Sequence, residues 1–553
     1  MAFSERRICR LGILFLLLGS LLISRLVYLQ LVAGGKLAAM GLNGRIQELP
    51  VEVARGDIFD RNGKPLTNTA LHFSVAVFPA LVDDRGRTAR ELAALTGLGQ
   101  GRIAARLANG GPPFKLKSDI DAVTAQRINS RRLAGVMAVP ERVRYGSSSL
   151  AAHVVGYINA ADNRGMSGIE AAYDEVLRDS QSAYLAAMVD AGQNLIPGLG
   201  YRRLRPEGSG PSDVVLTLDS RIQKVVEQVM DEQVEKGAVV VMRPSTGELL
   251  AMASRPSFNA NELDGFLERS ASPLLNRAVS AYQPGSVFKL AVAAAALEEK
   301  QVQPGDVFYD PGYIEVNGLR FQGWDYEKGP RGRLTFREAM AYSSNPVLID
   351  IGLRLGAERL LAYAGKLGFG RRTGLDLDGE AEGNLPAPAS VYSGDLANLS
   401  IGQGALEATP LQVAALVATI VNDGIKIEPY IVSRITTADG KIVKNFVASR
   451  GQRVLSRQTA GQLRDMMVAV TRYGTGQAAY VEGPGSAGKT GSAETGRKDV
   501  AGKSISHAWF AGYAPLDNPQ YVVVVFVEDG MSGGDVAAPI FQAIVTRILA
   551  GGG

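Results

Sequence analysis

Three apolar patterns run along the chain, and each predicts a different kind of element. Near the N-terminus an apolar run over 11–23 resumes after Ser24 and Arg25 as a second short run over 26–32, broken only by Gln30. Together the two runs reach the roughly 20 residues that a helix needs to cross a bilayer, and Arg25 can extend toward the headgroups. Between 34 and 204 the pattern is short and alternating, as over 72–78, and is interrupted by Gly- and Arg-rich stretches. Beyond 210 it sharpens: 214–218 reads as a strand and 221–233 as a helix that ends before Gly237. The segments 238–242 and 248–253 flank Pro244, Ser245, Thr246 and Gly247, which predicts a hairpin. The run 521–527 is nearly all β-branched, as expected of a strand covered on both faces, and 537–549 has the period of a terminal helix. Strands at both ends with helices between them predict an α/β (α+β) domain whose sheet, assembled from remote pieces of chain, is flanked by helices.

A chain of 553 residues is too long for one ordinary core, so two domains besides the anchor are expected. Pro, Gly and Ser accumulate over 205–212, the signature of an exposed connection. The expected division is a cytoplasmic tail over 1–10, a transmembrane anchor over 11–33, a scaffold domain over 34–210 and a second domain over 211–553. Arg6, Arg7 and Arg10 hold the tail in the cytoplasm, which places everything beyond the anchor outside the inner membrane. Ala33, Gly34 and Gly35 make a poor cleavage site, so the anchor is expected to remain.

Composition narrows the function. With 46% hydrophobic and 21% charged residues, most of the chain reads as water-soluble and folded rather than disordered or many-pass. The 59 basic and 55 acidic residues form no long basic block interleaved with aromatics, which argues against nucleic acid as a partner. Cys9 is the only cysteine, so neither a disulfide nor a cysteine-based metal site is expected; it reads as a small residue at the membrane edge. His72, His153 and His507 are too scattered for a metal site and are expected to be structural, and no cofactor is called for. Trp324 and Trp509 read as core or groove wall, Glu494 as a solvated loop residue, and Asp57 with Arg61 as a brace of the scaffold through a turn at Asn62-Gly63.

The second domain carries three short motifs in order. Ser286-Val287-Phe288-Lys289 follows the turn pair Pro284-Gly285 and opens an alanine-rich helical run. Positions i and i+3 share a helix face, so the Lys289 amine can meet the Ser286 hydroxyl, and it serves as a base only where desolvation or a neighbouring positive charge lowers its pKa. Ser343-Ser344-Asn345 follows a helical run over 336–342; Ser343 is suited to relaying a proton, and Asn345 to orienting the lysine and bonding a substrate peptide. Lys489-Thr490-Gly491-Ser492 offers a cation and a hydroxyl for a terminal carboxylate, with a glycine permitting close backbone approach. Backbone N–H groups of Ser286 and Ser492 would form an oxyanion hole. Each motif alone is weak; the ordered trio supplies nucleophile, base, relay and carboxylate clamp.

On these residues the chain resembles the active-site serine penicillin-recognising family and, within it, the class B penicillin-binding proteins. The one departure in the motifs is Ser344, where the wider family's triplet has Asp. The likeness extends to Arg55-Gly56-Asp57-Ile58-Phe59-Asp60-Arg61-Asn62-Gly63, Gly168-Ile169-Glu170, Ile401-Gly402-Gln403-Gly404 and Thr409-Pro410, and so spans the chain. It implies a non-catalytic, elongated pedestal of the dimerisation-domain kind carrying a D,D-transpeptidase domain outside the membrane. Ser286 would attack the D-Ala-D-Ala bond of a peptidoglycan stem peptide, release the terminal D-Ala and pass the acyl group to an amine on a neighbouring strand, with carboxypeptidase action as a side reaction. β-Lactams would acylate the same serine. The resemblance also implies a polytopic membrane glycosyltransferase of the shape, elongation, division and sporulation type as partner. The rivals are a carboxypeptidase or β-lactamase that hands the acyl group to water, and a non-enzymatic scaffold or β-lactam sensor.

Overall fold

The structure, a computed structural model, describes residues 2–37, 46–108, 111–146, 150–159, 162–190, 196, 201–204, 210–267, 271–499 and 502–551. The N-terminal apolar run forms the α-helix Ala2–Val27, which passes into a π-helical turn, Tyr28–Val32. Its apolar span, Arg7–Val32, is 26 residues long with none of it covered by protein, so both its length and its bare surface suit a lipid environment. Of the expected connection over 205–212, positions 205–209 lie outside the described residues.

Two compact units account for the chain, and they interleave. The smaller draws on Met1–Ala54, Ala70–Val143 and Ser180–Ser209; the larger on Arg55–Thr69, Arg144–Asp179 and Gly210–Gly553. A single division at 210 is therefore not how the chain packs, because two segments from before it belong to the larger unit. The smaller unit contains a sheet in which Ala70–Val77 lies between Phe114–Ile120 and Val136–Val143, antiparallel to both. One face of that sheet buries Val75 and Val77 against Ala89, Leu92, Ile103 and Ile128 of the helices Arg85–Thr96, Gln100–Ala108 and Ala122–Ser130.

The larger unit is built on a five-stranded antiparallel sheet in the order Leu249–Arg255, Gly237–Met242, Tyr521–Val527, Ser504–Ala514, Ala487–Lys498. The predicted hairpin forms its first two strands, and the β-branched run is its central strand. Because successive strand side chains alternate faces, Val522, Val524 and Phe526 enter one core while Val523, Val525 and Val527 enter another. The second core is covered by the helices Ser220–Gln233 and Ala538–Ala550, the two that the sequence periodicity predicts. The first holds the helix Lys289–Glu298, buried from Lys289 through Leu297 and apolar all round, as a helix at the centre of a large core must be.

The segment 55–69 owes its place in the larger unit to specific bonds. Gly56 packs so closely that a Cβ there would stand 1.9 Å from the Ser212 carbonyl oxygen. Arg55 donates to Glu170 Oε2 at 2.6 Å and to Asp174 Oδ1 at 2.7 Å, while Arg144 and Tyr145 donate to Glu170 Oε1 at 2.5 and 2.9 Å. Asp57 and Arg61 consequently do not brace the scaffold. The Asp57 N–H donates to Asp213 Oδ1, and Arg61 pairs with Glu248 at 3.4 Å, both inside the larger unit. The turn at Asn62-Gly63 is tied instead by Asp60, whose carboxylate accepts from the N–H groups of Asn62, Lys64 and Ser220.

Candidate active site

Ser286 lies in a short 3-10 turn, Gly285–Phe288, and the α-helix begins only at Lys289. The first N–H groups of such a turn, Ser286's among them, have no partner within it. Two flanks press on the turn. On one, the Gly285 N–H donates to the Gly402 carbonyl at 2.9 Å; Gly402 has φ +77°, and a Cβ there would lie 1.9 Å from the Gly285 oxygen, so only glycine fits. On the other is the edge strand Ala487–Lys498: a Cβ on Gly491 would meet the Pro284 oxygen at 2.9 Å and Val287 Cγ2 at 2.8 Å. The glycine of the third motif thus lets the Ser286 turn rest on the sheet edge, and Ser286 is left half-buried.

Behind it sit two lysines with no exposed surface. Lys289 Nζ donates to the Ser343 carbonyl at 2.7 Å, to Asn345 Oδ1 at 2.7 Å and to Ser343 Oγ at 3.2 Å. Lys489 Nζ donates to the same Ser343 Oγ at 2.9 Å and to the Thr490 carbonyl at 2.9 Å. Both amines therefore converge on one hydroxyl. Burial, and then the neighbouring Lys489 charge, push Lys289 well below the ordinary amine range, against the pull of Asp310 and Asp325. Burial alone brings Lys489 down to about 7.

This has a measurable consequence for stability. Between about 7 and the free-amine value of 10.5, the unfolded chain holds a proton on residue 489 that the folded chain has released. Stability therefore climbs with pH across that window, and the slope ends below it, where both states are protonated. The Lys489→Met chain, which cannot titrate there, is expected to show a shallower rise of Tm from pH 7 to pH 10 than the wild type. Parallel curves would contradict the assignment.

The middle motif owes its shape to a reversal. The helix Phe336–Ala341 ends, Ser343 adopts a left-handed conformation with φ +58°, and Ser344 caps the next helix, Asn345–Leu355, by accepting from the Val347 N–H. Pro346 in the first turn suits a helix start. Ser343 and Asn345 can thus both reach Lys289. Asn345 also donates to the Gln322 carbonyl at 2.9 Å, and Trp324, more than half exposed, donates from Nε1 to the Tyr342 carbonyl at 2.9 Å. A separate cavity of about 620 Å³, lined by Phe308, Tyr309, Val347 and Arg354 among others, holds none of the three motifs' polar residues.

A family model described as "Penicillin binding protein transpeptidase domain" matches residues 237–546, and one described as "Penicillin-binding Protein dimerisation domain" matches residues 50–196. The chain belongs to the class B penicillin-binding proteins. It is 34% identical to Stage V sporulation protein D of Bacillus subtilis over 98% of its own length and 85% of that protein's. It is 28% identical to peptidoglycan D,D-transpeptidase MrdA of Escherichia coli, covering 98% and 93% of the two chains. The penicillin-binding protein PbpB of Mycolicibacterium smegmatis is 33% identical over 90% of this chain and 82% of its own. Among solved structures, the D,D-transpeptidase domain of a peptidoglycan glycosyltransferase from Eggerthella lenta matches with a TM-score of 0.66 and 27% identity, over 91% of this chain and all of that one.

Within this penicillin-binding protein, Lys289, Ser343, Asn345 and Lys489 are hydrogen-bonded together, and Ser286 stands one turn before Lys289 at the sheet edge. The expected bond from Lys289 to Ser286 is absent among the described residues, since the amine is directed to Ser343 and Asn345 instead. Thr490 is buried, with its hydroxyl 2.6 Å from that of Thr475, a neighbour that no motif or local pattern marks. Ser492 is exposed and accepts from the Gly533 N–H at 3.1 Å. Glu494 is solvated as expected, but it sits in the edge strand opposite Ser506 rather than in a loop.

Proposed function

We propose that this penicillin-binding protein is a single-pass, membrane-anchored peptidoglycan D,D-transpeptidase acting through an acyl-enzyme on Ser286. Lys289, disfavoured in its charged form, takes the Ser286 hydroxyl proton as the oxygen attacks the carbonyl of the D-Ala-D-Ala peptide bond. The N–H groups of Ser286 and Ser492 hold the oxyanion. As the C–N bond breaks, the proton passes by way of Ser343 to the departing D-Ala amine, leaving an ester on Ser286. The amine of a neighbouring stem peptide then forms the cross-link, and its proton returns Ser286 to the hydroxyl form. Asn345 orients Lys289 and bonds the substrate peptide; Lys489, Thr490, Gly491 and Ser492 receive the terminal carboxylate, and an extended peptide lies along the edge strand Ala487–Lys498. A β-lactam follows the first half of this course and stops at the ester; water in place of the amine gives carboxypeptidase action.

The observation that carries the reading is the meeting of two buried amines on the Ser343 hydroxyl, at 3.2 and 2.9 Å. Arg6, Arg7 and Arg10 at the N-terminal end of the apolar helix support a cytoplasmic N-terminus in the inner membrane with the catalytic unit outside it. The smaller unit serves as the non-catalytic pedestal, and glycan polymerisation falls to a polytopic glycosyltransferase partner of the shape, elongation, division and sporulation type. Incubating the detergent-solubilised full chain with a fluorescent penicillin tests this. A stable covalent label is expected on the wild type and none on the Ser286→Ala chain. Equal labelling of both would exclude Ser286 as nucleophile, rapid release of the label would favour a hydrolase, and labelling of neither would favour a scaffold.

A further inference from the structure

The triplet's departure from the family pattern leaves the site without a carboxylate in the motif itself, yet one arrives from elsewhere. Asp310 ends the strand Val307–Asp310 and is 3% exposed. Its Oδ2 accepts the Ser344 hydroxyl at 2.6 Å, and its Oδ1 accepts the Gly312 N–H at 2.7 Å. Both oxygens accept, the pattern of the ionised form. Ser344 stands between the two residues that hold Lys289, and its oxygen also caps the helix Asn345–Leu355. A buried charge thereby fixes the point where the chain leaves the left-handed Ser343 and enters the helix that carries Asn345. Among the described residues, neither lysine has a carboxylate at hydrogen-bonding distance. The charged groups that act on Lys289 are Lys489 from the edge strand, Asp310, and Asp325, itself bonded to Arg331 at 2.6 Å.

We propose that Asp310 is a positioning residue for the transpeptidase site, supplying through Ser344 a buried carboxylate where the wider family's triplet has Asp as its middle residue. The assignment rests on the roles proposed above for Lys289 and Ser343. The Asp310 carboxylate bonds Ser344 and the Gly312 N–H rather than Ser286 or either lysine; it sets the placement of Ser343 and Asn345 and balances part of the charge of the two amines. Its loss has two separable effects. Without the bond, the triplet loosens and acylation slows; without the charge, the protonated amines are less favoured, so the acidic limb of the acylation rate, which belongs to the coupled pair, moves to lower pH.

The test is the rate of acylation of the full chain by a fluorescent penicillin as a function of pH. Asp310→Asn and Asp310→Ala are expected to slow acylation roughly 10- to 100-fold at the plateau and to move the acidic limb to lower pH. Ser344→Ala, which keeps the charge and loses the bond, is expected to slow acylation with the limb unmoved. The double variant Asp310→Ala with Ser344→Asp returns a carboxylate to the same pocket and is expected to recover rate over Asp310→Ala alone. Wild-type rates and limb in the Asp310 variants, or no recovery in the double variant, would overturn the proposal while leaving the Ser286 chemistry standing. Label on Ser286→Ala would instead sink the underlying reading. Where the Asp310 variants do not fold, Ser344→Ala decides: slowed acylation with an unmoved limb supports the assignment, and a wild-type rate overturns it.

Discussion

Lys289→Met is expected to slow acylation by a β-lactam by up to about 10⁴-fold, the upper range for loss of a general base. Methionine keeps the unbranched shape and fills the same buried channel, so the packing around the helix Lys289–Glu298 is retained. What disappears is the amine that bonds Ser343 and Asn345 at once, and with it the group proposed as the base, one turn after Ser286. Fluorescent-penicillin kinetics, read beside the Tm of the same preparation, check the outcome. A variant with native Tm and near-native acylation would show that another group acts as the base.

Glu170→Ala should have the largest effect on stability of any single change considered. The Glu170 carboxylate is fully buried and accepts from Arg55, Arg144 and Tyr145. Removing it leaves two guanidinium groups short of a counter-charge in the interior, which costs about 3–5 kcal/mol, where removing an exposed partner costs well under 1 kcal/mol. These bonds tie the segments 55–69 and 144–179 to each other within the larger unit, so the loss should appear as a lowered Tm of that unit and as reduced penicillin labelling on warming. Glu494→Ala, at an exposed strand position, is the control and should leave Tm unchanged. A Tm for Glu170→Ala within a degree of the control would contradict this account of how the two segments are held.

These two sites divide on how far the sequence foretold them. The motif lysines, Ser343 and Asn345 were legible because the chemistry demands those types in that order, and the central strand Tyr521–Val527 because burial on both faces demands β-branched residues throughout. The edge strand Ala487–Lys498 has no such pattern: it is rich in Gly, Ser and Thr and carries a buried lysine, so only its motif marked it. The interleaving of the two units was hidden because it rests on bonds such as Arg55 to Glu170, 115 residues apart, which no local composition signals. Asp310 was equally silent: before Pro311-Gly312 it reads as an ordinary turn residue, and its bond to Ser344 crosses 34 residues. The meeting of Lys289 with Ser343 rather than with Ser286 depends on the left-handed backbone of residue 343, a conformation that serine does not advertise.

Every step proposed above requires that one hydroxyl, on Ser286, becomes covalently acylated. Mass spectrometry of the full-length protein after reaction with unlabelled penicillin, followed by tryptic digestion, tests it most directly. The peptide 278–289 contains two serines, Ser280 and Ser286, and fragmentation separates them. A single penicilloyl group on Ser286 is the predicted result; an adduct on Ser280, on Ser343 or on a lysine, with Ser286 unmodified, would contradict it.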